Sequence, residues 1–213
     1  MENREKNTKE RILEEALKLF SQRGYMGTSM SDIAAQLKVT KAALYKHYAG
    51  KQEILDGIVE KMNQMDMERG RQYDMPEGEM EKVVAAYKKT ALDKIRQFAR
   101  IQFQHWTEEE FSCCFRRMLT LEQYRDPQMA ALYQNYLADG PLSYMTAIFE
   151  GFLGSGGEAR QMALDFYGPI FLLYSIYDGT EDKSQIVELV DRHVERFSYR
   201  LSDESRESDR EDE

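Results

Sequence analysis

Apolar side chains recur every three or four positions near the start of this chain, which is the period of a helix with one buried face. The first stripe consists of Ile12, Leu13, Ala16, Leu17 and Phe20. Asn7 or Thr8 can cap the start of this helix, and Gly24 stands where a helix C-terminus favours glycine. The pattern predicts a first helix from residue 7 or 8 to about residue 23.

A second, shorter stripe begins six residues after Gly24. It consists of Met30, Ile33, Ala34 and Leu37. Thr28, Ser29 and Ser31 are all residue types that cap helix N-termini, and Asp32 adds a negative charge that suits the first turn of a helix. The stripe therefore predicts a second helix that ends before residue 38.

A third helix is predicted over residues 41–48, with Thr40 as its cap. Leu44 and Tyr48 are four residues apart, so they would share its inward face. Two helices joined by a turn of three or four residues form a helix-turn-helix, which lays its second helix in the major groove of DNA.

The outward face of the third helix carries small and hydrogen-bonding residues. Ala42 would let the backbone approach base edges, and Lys51 places a positive charge at the start of the next helix. Several other side chains can donate to phosphates or bases, namely Lys41, Tyr45, Lys46 and His47. The same pattern also fits an ordinary helical subdomain with no role in DNA binding, so spacing alone leaves both interpretations open.

Residues 8–62 resemble the N-terminal domain of the TetR family of bacterial transcriptional regulators. The matching positions are Ile12, Ala16 and Phe20, then Gly24-Tyr25, Thr28-Ser29-Met30, Asp32-Ile33-Ala34, Val39-Thr40-Lys41, Ala43-Leu44-Tyr45, His47-Tyr48, and Lys51 through Ile54-Leu55. The match has many parts and covers about a quarter of the chain. The resemblance implies a DNA-binding domain over residues 1–50.

The resemblance also implies roles for individual residues. Thr28 and Ser29 would cap the first helix of the motif and touch phosphate. The groove would be met by Thr40, Lys41, Ala42 and Lys46, and the DNA backbone would be gripped by Tyr45, His47 and Lys51. Ala42 stands where many members carry glycine, which leaves the base contact at that position open.

The remainder of the chain is predicted to be almost entirely helical, with four prolines and no extended run of alternating polarity. The predicted helices span 51–73, 77–106, 108–124, 127–138, 141–153, 158–177 and 183–201, with a loop at 151–157. The fold class is therefore all-α: a three-helix helix-turn-helix domain followed by a larger helical ligand-binding and dimerisation domain over 51–201. The acidic tail, residues 202–213, is predicted to be disordered.

The two last helices carry much apolar surface. The helix over 158–177 is apolar on nearly every side, which predicts burial all round. The other helices of the same chain could bury this surface without a partner. The family resemblance instead implies that the helices near 158–177 and 183–201 pair with their two-fold mates in a homodimer, whose two heads would read a near-palindromic site.

Aromatic and methionine residues are frequent between residues 84 and 149, and they suit either a plain core or a small-molecule pocket. The resemblance implies a pocket for a small-molecule effector in this region. The residues expected to line it are Phe103, Trp106, Phe115, Met118, Tyr133 and Tyr144.

Charge is distributed unevenly along the chain. The net charge is −9, but residues 1–65 hold 11 lysines and arginines against 9 acidic residues and are net +2. A mildly basic N-terminal part followed by an acidic remainder suits a protein that binds double-stranded DNA through its N-terminal part. The duplex would repel the acidic remainder, which would then point away from it.

Several other classes of protein find no support in the sequence. No apolar run is long enough for a membrane span, no signal peptide begins the chain, and the adjacent Cys113 and Cys114 suit neither a disulfide nor a zinc site, so we expect a cytoplasmic protein. No catalytic, metal-binding or cofactor-binding constellation is present.

We expect a ligand-responsive transcriptional regulator, more specifically a repressor released by a small molecule. The alternative is an all-α ligand-binding or scaffold protein whose helix-turn-helix is only structural.

Overall fold

A computed structural model describes residues 2–76, 78–87, 92–153 and 158–211, with side chains for 7–76, 78–87, 94, 96–151 and 158–201. Within these residues the backbone forms helices and no strand, which confirms the predicted all-α class. In chain order the helices are α1 (Glu2–Arg23), α2 (Met30–Gln36), α3 (Lys41–Tyr45), α4 (Lys51–Gln72), α5 (Met80–Tyr87), α6 (Leu92–Glu108), α7 (Glu110–Glu122), α8 (Pro127–Leu137), α9 (Asp139–Leu153), α10 (Glu158–Gly179) and α11 (Lys183–Glu211).

Packing divides the chain into two compact units. The first contains Met1–Arg71 and Glu109–Tyr133, and the second contains Gln72–Glu108 and Gln134–Glu213. The first unit therefore includes α7 as well as α1 to α4. These two units are defined by packing alone, and they do not test the boundary predicted after residue 50 for the DNA-binding domain. That boundary stays a prediction.

The core of the first unit is built by α1, α2, α3, α4 and α7. Its fully buried large side chains are Leu17, Phe20, Ile33, Leu44, Ile54, Leu55, Ile58, Met62, Phe115, Met118 and Leu119. Fully burying one such side chain is worth about 1.5–3 kcal/mol. Since Phe115, Met118 and Leu119 all belong to α7, this helix is an integral part of the unit that holds the helix-turn-helix.

The second unit packs α6, α9, α10 and α11 around aromatic side chains. Phe103 stacks on Tyr174 with ring centroids 5.3 Å apart. Phe166 lies 4.8 Å from Phe197, centroid to centroid, which joins α10 to α11. An ion pair at 2.8 Å between Arg96 and Glu195 adds a polar contact between α6 and α11.

The structure differs from the prediction at several helix ends. The first helix begins at Glu2, ahead of the predicted caps Asn7 and Thr8. The helix predicted to begin at residue 77 begins at Met80, after Gly78, which adopts a φ of 108° that an L side chain rarely takes. The single helix predicted over 77–106 is described as α5 and α6, and residues 88–91 between them lie outside the described residues.

Two further differences concern the later part of the chain. α9 continues through Leu153, so the loop predicted from Gly151 does not begin there, and its remaining residues 154–157 lie outside the described ones. α11 continues to Glu211, where the sequence predicted disorder. Residues 202–211 contain neither glycine nor proline, so nothing in them interrupts a helix already begun at Lys183.

Candidate nucleic-acid interface

The first helix of the motif is capped by Ser29. The Ser29 hydroxyl accepts a hydrogen bond from the Asp32 backbone N–H at 3.2 Å, and Asp32 Oδ2 accepts one from the Ser29 backbone N–H at 2.8 Å. This reciprocal pair is a capping box, which satisfies two N–H groups that a helix start leaves open. The Ser29 hydrogen bonds lower the pKa of Asp32. Of the three predicted candidate caps, Thr28, Ser29 and Ser31, it is Ser29 that caps α2.

The turn and the second helix of the motif follow from local chemistry. Lys38 adopts a left-handed conformation at φ 57°, and Thr40 then caps α3 by accepting from the Ala43 N–H at 3.1 Å. Leu44 and Tyr48 are both buried, as predicted, but the helix predicted over residues 41–48 is shorter: α3 ends at Tyr45, and Tyr48 lies beyond it. These two side chains attach α3 to the first unit and so decide which of its faces meets solvent.

The solvent face of α3 carries the residues predicted to meet DNA. Exposed side chains here are Thr40, Lys41, Ala42, Tyr45 and Lys46. The Lys41 ammonium lies 5.8 Å from the centre of the Tyr45 ring, so a positive charge and an aromatic hydroxyl lie side by side. Such a surface can donate to phosphates and to base edges, and Ala42 adds little bulk.

His47 is half-buried in the turn that follows α3. Its Nδ1 atom is buried and has no hydrogen-bond partner among the described residues. The structure therefore brings His47 next to the exposed face, but not fully onto it.

Thr28 and Lys51 make internal contacts within the first unit. The Thr28 hydroxyl is buried and donates to the Gly24 carbonyl oxygen at 2.9 Å. The Lys51 ammonium donates to the carbonyl oxygens of Tyr25 at 2.7 Å and Thr28 at 2.9 Å, and it lies 4.2 Å from the centre of the Tyr25 ring. Burial of this ammonium lowers the pKa of Lys51. Both residues thus stabilise the segment from Gly24 to Thr28 that leads into α2.

Glu122, in the last turn of α7, was missed by sequence reasoning. Its side chain is completely buried, and its carboxylate accepts no hydrogen bond from the described residues. Arg125 Nη1 lies 3.6 Å from Glu122 Oε1. A Cβ atom on Gly24 would overlap that same oxygen, so the carboxylate lies against the backbone that precedes α2. No motif marks this residue, because only tertiary packing brings it to Gly24.

The six residues expected to line an effector pocket fall into both units. Phe115, Met118 and Tyr133 belong to the first unit, and the first two are fully buried. Phe103, Trp106 and Tyr144 belong to the second, where Phe103 and Trp106 are buried. Their assignment to an effector site stays a prediction.

A surface cleft of about 260 Å³ is present on the second unit, between the start of α10 and the later part of α11. Its lining consists of Glu158, Gln161, Met162, Asp165, Phe197, Arg200 and Leu201. None of the six residues expected to bind an effector lines this cleft.

Metal binding and membrane insertion are two further kinds of function to consider. Over the part of the chain that the structure describes, no group of three or more His, Cys, Asp or Glu side chains is arranged to hold a metal ion. Among those same residues, no helix combines the length and hydrophobicity needed to cross a bilayer.

Residues 12–58 match the family model described as bacterial regulatory proteins, tetR family. The helix-turn-helix segment of this chain thus matches the N-terminal domain of that family, as its resemblance indicated. Over 52 residues the chain is 44% identical to the biofilm operon icaADBC HTH-type negative transcriptional regulator IcaR of Staphylococcus epidermidis. That match covers 24% of this chain and 28% of the staphylococcal protein, so about a quarter of each is compared.

Solved structures extend the likeness to the fold of the whole chain. A TetR-family transcriptional regulator from Bordetella parapertussis superposes with a TM-score of 0.59 at 21% identity, covering 90% of this chain and 94% of that one. The flavonoid-responsive regulator FrrA superposes with a TM-score of 0.53 at 21% identity, covering 91% and 96%. The chain therefore has the fold of TetR-family regulators, with the helix-turn-helix in its N-terminal part.

Proposed function

We propose that this protein is a ligand-responsive transcriptional regulator that binds a near-palindromic operator as a homodimer and represses until a small molecule releases it. The observation that supports this proposal most strongly is the outer face of α3. Lys41, Tyr45 and Lys46 are exposed on that face, while Leu44 and Tyr48 are buried behind it. An outward row of donors on a rigidly held helix of a tetR-family domain is suited to the major groove.

Within the head, the contacts divide the residues by role. Thr40, Lys41, Ala42, Tyr45 and Lys46 meet the duplex directly, and Ser29 is exposed at the start of α2, where a phosphate can approach it. Thr28 and Lys51 act mainly by holding the entry to α2, because their polar groups are bonded to backbone carbonyls. His47 supports the end of α3.

Homodimer formation is supported by the outward face of α10. Within the single chain, four large apolar residues of α10 remain exposed: Leu164, Phe171, Leu172 and Ile176. Their spacing of seven, eight and twelve residues from Leu164 puts them on one stripe. Leu189 and Tyr199 add exposed apolar surface on α11. A contiguous apolar stripe of this kind fits a second copy of the chain, since a two-fold axis pairs each patch with itself.

Release by a small molecule is supported by the name of a structural neighbour and by the composition of the body. FrrA is flavonoid-responsive, and its chain is covered almost completely by the superposition. A ligand can shift this protein away from its operator only if it binds the two conformations with different affinity.

The test is equilibrium binding of the full chain to fragments of bacterial genomic DNA at low salt. The natural protein should retain a subset of fragments, and the variant with Lys41→Ala and Lys46→Ala should lose them while remaining folded and dimeric. A scaffold protein with a structural helix-turn-helix would retain no fragment in either form.

A further inference from the structure

Pro169 lies inside α10, directly after Gly168. Proline has no backbone N–H, so the carbonyl oxygen of Asp165, four residues earlier, receives no helical hydrogen bond from this position, and the proline ring crowds that same oxygen. The glycine before it lowers the stability of the helix further. α10 nevertheless continues through both residues to Gly179, so contacts from outside the helix must hold this part of it in place. We call residues 165–169 the proline turn.

The proline turn interrupts the exposed apolar stripe of α10. Leu164 precedes the turn, and the other exposed members of the stripe follow it, namely Phe171, Leu172 and Ile176. A two-fold interface requires each patch to match its own copy in shape, so the two parts of the stripe must keep one fixed orientation. A change in backbone direction at the proline turn would displace Leu164 relative to the later part of the stripe.

His193 of α11 contacts the proline turn. Its Nε2 atom lies 2.8 Å from the carbonyl oxygen of Phe166. Since a carbonyl oxygen can only accept, Nε2 carries the hydrogen and donates it. The imidazole ring also packs near the rings of Phe166 and Phe197, with centroids 6.0 and 6.4 Å away. This hydrogen bond joins α11 to the backbone of α10 in the turn that leads to Pro169.

The part of α11 that carries His193 is itself firmly packed. Val190 and Val194 on either side of it are 0% and 2% exposed. Glu195 forms an ion pair at 2.8 Å with Arg96 of α6, a helix of the same unit. The imidazole is half-buried, which partly shields its hydrogen bond from water. The donor therefore comes from a fixed element and not from a mobile side chain on the surface.

We propose that His193 is a positioning residue for dimer formation: its Nε2–H holds the Phe166 carbonyl oxygen and so fixes the proline turn in the orientation that lets the apolar stripe fit a second copy. This role rests on the homodimer proposed above. It gives a polar residue that lies outside the stripe a defined part in dimer formation.

Two substitutions separate the hydrogen bond from the packing of the ring. His193→Phe keeps an aromatic ring and removes the donor, so the dimer dissociation constant should rise about tenfold, as expected when a partly buried acceptor loses its donor. His193→Gln removes the ring but keeps an amide N–H at a similar reach, so its dimers should be nearly as tight as those of the natural protein. Sedimentation equilibrium over a concentration series measures both constants. Equal weakening in the two variants would assign the effect to the ring and overturn the proposal.

The matched control is Tyr167→Phe. The Tyr167 hydroxyl, in the same turn of α10, donates to the carbonyl oxygen of Leu137 at 2.9 Å. This change therefore also removes one hydrogen bond from a side chain to a backbone carbonyl within the second unit, but it leaves the bond from His193 in place. The dimer should keep its natural dissociation constant. A loss as large as that in His193→Phe would contradict the role given to His193.

Hydrogen exchange tests the effect on α10 apart from dimer dissociation. The background is Leu172→Glu, in which a charge within the stripe should keep the chain monomeric. Adding His193→Phe should make the backbone amides of residues 167–172 exchange about tenfold faster, while those of α1 keep their rate. Unchanged exchange in residues 167–172 would overturn the proposal.

The natural protein supplies a test that needs no variant. Nitrogen chemical shifts of the neutral His193 ring, measured in mildly alkaline solution, should place the proton on Nε2, because the Phe166 oxygen requires a donor there. A proton on Nδ1 would overturn the proposal even if neither substitution at residue 193 gave a folded protein.

Two outcomes separate this inference from the function on which it rests. If the natural protein is monomeric at every concentration but His193→Phe speeds exchange in residues 167–172, the proposed homodimer fails and the hold of His193 on the proline turn stands. If the dimer forms and His193→Phe neither weakens it nor changes exchange, only the positioning role fails.

Discussion

Leu44 and Tyr45 are consecutive residues of α3 with opposite environments: Leu44 is 1% exposed and Tyr45 is 45% exposed. Leu44 fastens the helix to the core of the first unit, and Tyr45 stands on its outer face beside Lys41. A helix of five residues is too short to be stable by itself, so its orientation depends on such buried contacts. The face of α3 that is proposed to contact DNA and the face that packs in the core of the first unit are thus opposite sides of one short helix.

The lysines of the outer face should carry much of the affinity for DNA. The variant with Lys41→Ala and Lys46→Ala is expected to lower the affinity for a retained fragment at least tenfold, and to reduce the slope of log K against log salt by about 2 if both lysines meet phosphate. Fluorescence anisotropy over a salt series measures both quantities.

The control for this variant is Lys82→Ala with Arg160→Ala, which removes two positive charges from exposed positions of the second unit. It should leave the salt slope unchanged. A slope as steep in the Lys41 and Lys46 variant as in the natural protein would contradict the assigned contacts.

The capping box of α2 can be tested with two serines of the same segment. Ser29→Ala removes the side chain that caps the helix and should lower the free energy of unfolding by about 1 kcal/mol. It should also raise the pKa of Asp32 toward its ordinary value, because the hydrogen bonds that lower it are lost. Urea unfolding and NMR titration of Asp32 measure the two effects.

Ser31→Ala is the comparison, since Ser31 is exposed and lies one residue inside α2. It should leave both quantities close to their natural values. If the two alanine variants were equally destabilised, the cap would not be the source of the effect.

The apolar stripe on α10 should control the oligomeric state. Leu172→Glu places a charge in the middle of the stripe and should convert the dimer to a monomer at micromolar concentration, because burying an unpaired carboxylate is costly. Analytical ultracentrifugation gives the mass directly. Leu121→Glu, at a similarly exposed leucine of α7, should stay dimeric; dimers in both variants would exclude this face as the interface.

Tyr87 should make the second unit sensitive to alkali. Burial raises the pKa of the Tyr87 hydroxyl, and the neighbouring Tyr144 adds to the rise. The folded protein therefore keeps this proton after the unfolded chain has lost it, so the stabilising effect is complete below pH ~10 and declines as the pH rises further. In Tyr87→Phe, the unfolding free energy should fall less steeply above pH ~10, by up to about 1.4 kcal/mol per pH unit.

Urea unfolding of both proteins from pH 8 to pH 11 measures this difference. Below pH 9 the two curves should run parallel, which is the internal control. Parallel curves over the whole range would show that Tyr87 does not carry the effect.

Local signals were sufficient to predict the motif. The Thr40 cap, the Gly24 terminus and the inward pair Leu44 and Tyr48 each depend on residues within four positions of one another, and the structure has all of them in the predicted places. Spacing alone did not separate a DNA-binding motif from a structural one; the family match over residues 12–58 favours the DNA-binding interpretation.

Contacts between distant parts of the chain were not predictable in this way. The pattern of α7 indicated a helix, but nothing in it indicated that Phe115 and Met118 would pack in the same unit as α1. Likewise, Lys51 was predicted to contact the DNA backbone, but its ammonium donates to carbonyl oxygens of residues more than 20 positions earlier in the chain. The composition of α10 predicted burial, yet only the packing reveals which of its apolar residues face outward in a single chain.

The most direct measurement of the central claim is selection of duplexes bound by the full-length protein from a random pool, followed by sequencing. The account predicts enrichment of one near-palindromic consensus, with two half-sites related by the two-fold axis of the dimer and with enrichment lost in the Lys41 and Lys46 variant. A pool that stays random after repeated rounds at low salt would contradict it.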